Sequence, residues 1–448
     1  MERKRDAQRQ MHPACRRRAP FGHHMPAAAD AVAQHHAGGA RDLWQDQAGT
    51  CLLSLVTRFC RKGYDMPLSF FALMMTAPVA AVASAEPAMP QPAAILAQTR
   101  RVADWQLANR TNWATMPAAR KSVQEVRDWQ QATFWVALTE LASRDKRYAQ
   151  PLLDLGRAEK WQLGDLAYHA DDQLIGQAWL WAARNGAGKG VIAPTKAYFD
   201  NVLANRPTIG LEFIPVAPGK GTSTCTDRWC WCDALFMAPP TLLRLSKATG
   251  DKRYADFAHE EFKATTDYLF DPSEQLYFRD SRFFDMRDAK GRKLFWSRGN
   301  GWVMGGIVRM LQVMDKTDPK RPIYEKLFKD MSAKLVTLQK ADGYWPASLL
   351  DQDPGTLPES SGTAFFTYAF AWGVDNGLLD RATYEPAAVR GWDALQRAVQ
   401  PDGMLGWVQQ VGDRPDSVSA KETQFYGSGA YLLAGTAIYD LSKKRVKR

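Results

Sequence analysis

Three short stretches of this chain gather residue types that do chemistry on polar small molecules. The first is DRWCWCDALFMAPP, in which Asp233 follows Trp231 and precedes Pro239-Pro240. Proline fits a helix only in its first turn, so Asp233 lies at or just before a helix start. One reading is a simple N-cap. The other is an acid: Trp231, Leu235, Phe236 and Met237 surround the carboxyl with apolar groups, which raises its pKa and suits proton donation near neutral pH. The second stretch is YHADD, with Asp171 and Asp172 at another helix start. These are either cap and dipole partners or groups that bind sugar hydroxyls and hold a water. The third is WSRGNGW. Trp296 and Trp302 could stack on a sugar ring, with Arg298 gripping a carboxylate through two parallel hydrogen bonds and Asn300 as a further substrate contact. Gly299 and Gly301 would let the backbone approach a ligand. The alternative is a glycine-rich cap that packs two core tryptophans.

Two weaker clusters follow. PESSGTAFF places Glu359 ahead of hydroxyl residues, as a cap or as a polar rim, and KETQFYGSGAY reads mainly as close packing. HExxH, GxSxG and P-loop motifs are absent, and downstream of residue 85 the only histidines are His169 and His259. A metal hydrolase or serine esterase has no support, and neither a metal nor another cofactor is expected. Carboxylates, arginine and sixteen tryptophans remain, a set suited to carbohydrate chemistry.

These clusters share a context. Each opens or precedes a segment unusually apolar for a helix, and six such segments begin at Asp128, Asp171, Asp233, Gly299, Ser361 and Gly427. Between them lie amphipathic, charged segments, several opening on a charged turn and a tyrosine; DKRYA occurs verbatim at 145–149 and 251–255. A hairpin of one amphipathic and one buried helix, repeated six times, predicts an all-α repeat architecture. The same hairpins could build an open solenoid. Helices apolar on most of their surface need partners all round, which favours closure into an (α/α)6 barrel, a six-hairpin toroid. The inner helices then run the same way, and their N-termini converge on one face.

The formal net charge of +10 lies in the first 65 residues and the terminal run KKRVKR; residues 86–442 are neutral, which gives no footprint for nucleic acid. Residues 1–65 lack an apolar period and read as a disordered leader or as sequence upstream of the true start. Residues 66–85 form an apolar run ending in Ala83-Ser84-Ala85, the pattern of a secretory signal peptide. Cleavage there leaves a catalytic domain at 86–442 and a basic tail at 443–448, with no membrane attachment and a periplasmic or secreted location. Cys225, Cys230 and Cys232 lack zinc spacing; in an oxidising compartment one disulfide is expected, using Cys225. Nothing in the sequence sets an oligomeric state.

DDQLIGQ, WCDALFMAPP, WSRGNGW, ESSGTA and YGSGA, in this order, resemble glycoside hydrolase family 105, the unsaturated rhamnogalacturonyl hydrolases, and its relative family 88. The resemblance spans about residues 95–442. It implies an (α/α)6 barrel and a metal-free reaction on oligosaccharides left by polysaccharide lyases, which end in a 4,5-unsaturated uronic acid. By resemblance, Asp233 protonates C4 of the vinyl ether, water adds at C5, and the hemiketal collapses to release the next sugar. One acid of Asp171 and Asp172 assists at the double bond, and Trp231, Trp296, Arg298 and Trp302 hold the uronate. One departure stands out: where many members place a histidine after the LYF motif, this chain has Arg279, a candidate polar contact to the substrate. The alternatives are a family-88-type action on glucuronyl sugars, action on ulvan or arabinogalactan fragments, and a non-catalytic glycan-binding toroid.

Overall fold

The computed structural model describes residues 88–111, 126–216 and 223–446. The expected leader, the signal segment and the last two residues of the basic tail lie outside the described residues. The chain alternates outer and inner helices. Outer α1 (Pro92–Ala108) precedes inner α2 (Trp129–Ala142), and outer α3 (Ala149–Ala158) precedes an inner pair, α4 (Ala170–Gln173) and α5 (Gly176–Ala182). Outer α6 (Ala193–Ala204) precedes a second broken inner helix, α7 (Ala234–Met237) and α8 (Pro239–Thr249). Three unbroken inner helices follow their outer partners: α9 (Lys252–Leu269) leads to α10 (Ser297–Leu311), α11 (Arg321–Thr337) to α12 (Ser360–Asp375), and α13 (Arg381–Ala398) to α14 (Phe425–Val446). The basic run 443–446 is therefore the last turn of α14, where Lys444 and Arg445 pair with Asp375 and Glu385.

The inner helices contact one another in sequence, and α14 returns to pack on α2. The toroid is thus closed, as the all-round apolar character of these segments requires. Every residue of α10 is buried, against six of the eighteen in α9. In α9 these six are Tyr254, Phe257, Ala258, Phe262, Thr265 and Leu269, a single stripe at helical spacing. The charged-turn tyrosines belong to the outer ring. Tyr148 donates to Asp104 of α1, Tyr254 to Asp200 of α6, and Tyr324 bonds His259 of α9, so each ties its own helix to the preceding outer one.

Close contact between inner helices needs small residues. A Cβ on Gly306 would sit 2.2 Å from the Leu235 carbonyl oxygen, which places α10 directly against the backbone of α7. The Pro239-Pro240 pair opens α8, so the break after α7 lies where the ring lacks main-chain donors. Short hairpins connect outer to inner helices: β1 (Phe270–Asp271) pairs with β2 (Leu276–Tyr277), and β3 (Trp345–Pro346) with β4 (Pro358–Glu359). Gly306→Ala forces α10 away from α7, a cost of about 1–3 kcal/mol; thermal unfolding should show a Tm lowered by about 1–4 °C.

Candidate active site

The N-terminal ends of the inner helices surround a cavity of about 950 Å³. Asp128 and Trp129 reach it from the start of α2, Asp171 and Asp172 from α4, Asp233 from α7, and Trp296 and Trp302 from α10. The remaining two starts do not. Glu359 and Phe425 are fully buried, and the segment 407–413 covers them, contributing Val411, Gly412 and Asp413 to the wall. Glu359 is a helix cap: it accepts from the main-chain N–H groups of Ser361 and Gly362, and its Oε1 also accepts from Gln409 N. The expected hydroxyl rim at ESSGTA is therefore internal.

Asp233 precedes α7 yet makes no side-chain cap. Its Oδ2 accepts from Arg279 Nε at 3.0 Å, while its Oδ1 is buried with no hydrogen-bond partner. Burial pushes its pKa above the usual carboxylate range, and Arg279 restrains the rise. Arg279 also donates to Asp280 at 2.7 Å and lies 4.5 Å over the ring of Trp231, so one face of that indole already carries a guanidinium. The residue read as a polar contact to the substrate is thus also the direct partner of the candidate acid.

The paired acids divide their work. Asp172 Oδ2 accepts from Leu166 N at 2.6 Å and its Oδ1 bonds His169 Nδ1 at 3.0 Å, so it secures the 164–166 loop. Asp171 faces His169 Nε2 at 3.4 Å and keeps its carboxyl toward the cavity. Burial, opposed by His169, leaves its pKa at about 6. His169 is shifted upward: burial works against its charge, but Asp171 and Asp172 outweigh it. Asp128, absent from the residues singled out by sequence, is pushed to about 7 by burial and then by Asp171. Its only signal was its place at the start of an inner helix, the place Asp233 also holds. Both acids bind protons more tightly folded than unfolded. Their stabilising effect is complete at acidic pH and is lost as pH rises through about 6 and about 7.

The WSRGNGW stretch differs from its expected role. Arg298 is fully buried; its two terminal nitrogens donate to the carbonyls of Gln409 and Gln410 at 2.7 and 2.9 Å, and its guanidinium lies between Trp296 and Tyr426. It does not reach the cavity to grip a carboxylate; it fixes the segment that carries Val411 to Asp413. Asn300, also buried, accepts from Tyr277 N and donates to Tyr277 O, which pins β2 two residues before Arg279. Gly299 and Gly301 face the side chains of Cys232 and Phe365, and neither lines the cavity. Trp296 and Trp302 do line the cavity. Beside the site, Cys225 and Cys230 form the disulfide and Cys232 is a buried thiol. Asp280, Arg282 and Asp413 were missed: Asp280 is fully buried and holds both Arg279 and Arg282, and Arg282 reaches Asp413 at 2.8 Å. No spacing rule joins residues 280 and 413.

The model of Glycosyl Hydrolase Family 88 matches residues 98–442. An unsaturated 3S-rhamnoglycuronyl hydrolase of Alteromonas sp. (strain LOR) is 39% identical over 342 residues, covering 75% of this chain and 83% of that protein. A protein of the same name from Formosa agariphila is 37% identical over 326 residues, covering 70% and 85%. Among solved structures, a glycosyl hydrolase family 88 protein from Bacteroides vulgatus superimposes with a TM-score of 0.67 at 24% identity, over 79% of this chain and all of that one. This likeness bears on the fold, and it agrees with the closed six-hairpin ring. The acid-lined cavity thus sits at the helix N-termini of a glycosidase, and the chain belongs to glycosyl hydrolase family 88.

Proposed function

We propose that the protein removes a 4,5-unsaturated uronic acid from the non-reducing end of lyase-generated oligosaccharides by hydrating its vinyl ether. The observation that carries this reading is the asymmetry of Asp233, a residue of the cavity wall: one oxygen is held by Arg279, the other is buried and unpartnered. A carboxyl with a raised pKa keeps its proton and can deliver it from Oδ1 to C4 of the sugar. Water adds at C5, and Asp171, ionised above about pH 6, accepts the proton that this water loses. The resulting hemiketal opens and releases the next sugar. Trp129, half-buried in the cavity wall, offers apolar surface to the ring, backed by the buried Trp302. The names of the two relatives, at 39% and 37% identity, support the rhamnoglycuronyl class as substrate. Rhamnogalacturonan fragments are the second reading, on the strength of the motif series.

Loss of the conjugated double bond, followed by ultraviolet absorbance, tests the activity on lyase digests of each polysaccharide. Asp233→Asn should reduce kcat on the order of 10³-fold, the range of a positioned general acid, with the circular dichroism spectrum unchanged. A variant that keeps its turnover would refute the assignment. The pH profile of kcat/KM should fall on the acidic side near pH 6, where Asp171 takes up a proton, and Asp171→Asn should abolish that limb. Asp128 is neutral below about pH 7 and anionic above it, where it repels a uronate. KM should therefore rise several-fold between pH 6 and 8, and Asp128→Asn should flatten that rise.

A further inference from the structure

Toward the C-terminal ends of the inner helices, away from the cavity, a second charged cluster is buried. Arg309 of α10 is 2% exposed; it donates to Gln177 Oε1 at 2.6 Å and meets Glu140 of α2 at 3.4 Å. Glu140 is shared with Arg144 at 3.2 Å, and Arg144 also pairs with Asp440 of α14. Arg244 of α8 has no carboxylate partner among the described residues and donates only to the carbonyls of Pro240 and Arg309, each at 3.2 Å. Tyr368 of α12 is buried, and its hydroxyl has no hydrogen-bond partner. It lies within electrostatic reach of Arg309, Arg244 and Glu140.

Three guanidiniums thus face two carboxylates, which leaves one positive charge uncompensated and one buried hydroxyl without an acceptor. The unpartnered hydroxyl is costly in an interior, and the half-buried Arg244 charge is only partly solvated. One small anion relieves both, since it balances the charge and accepts from the hydroxyl. We propose that a small monovalent inorganic anion, of the halide class, binds among Arg244, Arg309 and Tyr368. Arg244 is partly exposed and gives the anion a route to solvent. Burial and the neighbouring Arg309 hold the Arg244 guanidinium down at about 9, and Glu140, already shared with Arg309 and Arg144, offsets only part of the fall. The cluster also reaches the active site. Gln177, which receives Arg309, donates to the carbonyls of Phe236 and Met237 in α7, the short helix that begins at Asp233.

The test needs no substrate, so it is independent of the activity proposed above. Crystals of the wild-type protein soaked in bromide should show an anomalous peak between Arg244, Arg309 and Tyr368. In solution, chloride should raise the Tm saturably over gluconate at equal ionic strength. Tyr368→Phe, which removes one donor and leaves the packing, should shift the half-saturating chloride concentration upward about tenfold, the worth of one charge-assisted hydrogen bond. Arg244→Gln should abolish the chloride effect. A bromide map without a peak at the cluster overturns the proposal, whatever the Tm does, and so does a chloride response that survives both substitutions.

Discussion

An inner helix of a closed ring has no face turned to solvent. That constraint governs the rest of the molecule. Side chains around the full circumference of α10 must find protein partners, so its sequence is small and apolar, and Gly306 allows α10 to lie against the backbone of α7. Most buried polar groups there have a partner, and Asp233 Oδ1 and the Tyr368 hydroxyl are exceptions. At the helix starts, Glu359 caps α12 away from the cavity, while Asp171 and Asp233 gather without capping and the cavity forms among them. The outer ring has no such restriction and is amphipathic, latched helix to helix by tyrosines.

The same constraint makes the site's second layer as demanding as its lining. Asp233 can keep a raised pKa beside a guanidinium only if that guanidinium is itself anchored. Asp280 supplies the anchor, and Asn300 holds the main chain just before Arg279. Arg298 does the equivalent on the far wall by holding the carbonyls of residues 409 and 410. Two residues from the most conspicuous motif of the sequence therefore shape the site by fixing backbone. The indoles of the same motif border the cavity but are packed into the core, Trp302 against Phe236 and Phe365.

Much of this was legible in the sequence because it is periodic or local. The six inner segments announce themselves by apolar composition, and Asp233 by the two prolines that follow it. The toroid and the convergence of helix starts follow from these. What escaped reading is non-local. The cover of residues 407–413 over two of the six helix starts depends on where an irregular segment folds, which no period records. Arg298 and Asn300 were read by the chemistry of their side chains. A guanidinium or an amide satisfies a buried carbonyl as readily as a sugar acid, and sequence does not say which is nearer. Asp128 was seen as a boundary because its shifted pKa comes from burial in the folded ring and then from Asp171, 43 positions away along the chain. Even adjacent acids diverged: both line the cavity, but Asp172 is tied to the Leu166 amide and Asp171 is not.

The ring also has a seam. It closes where α14 packs on α2 and α1, and there Ser442 donates to the carbonyl of Pro90 at 2.7 Å. The first and last described helices are thus neighbours in space, like the two ends of a clasped bracelet. At this junction α14 and α2 pack together as inner neighbours do elsewhere in the ring, but no described peptide joins them. A short linker from the end of α14 to the start of α1 would make the backbone continuous, and a new opening in any exposed outer turn would leave the ring of contacts intact. The order in which the hairpins are strung along the gene is, for the folded enzyme, one of several equivalent choices of where a circle is cut.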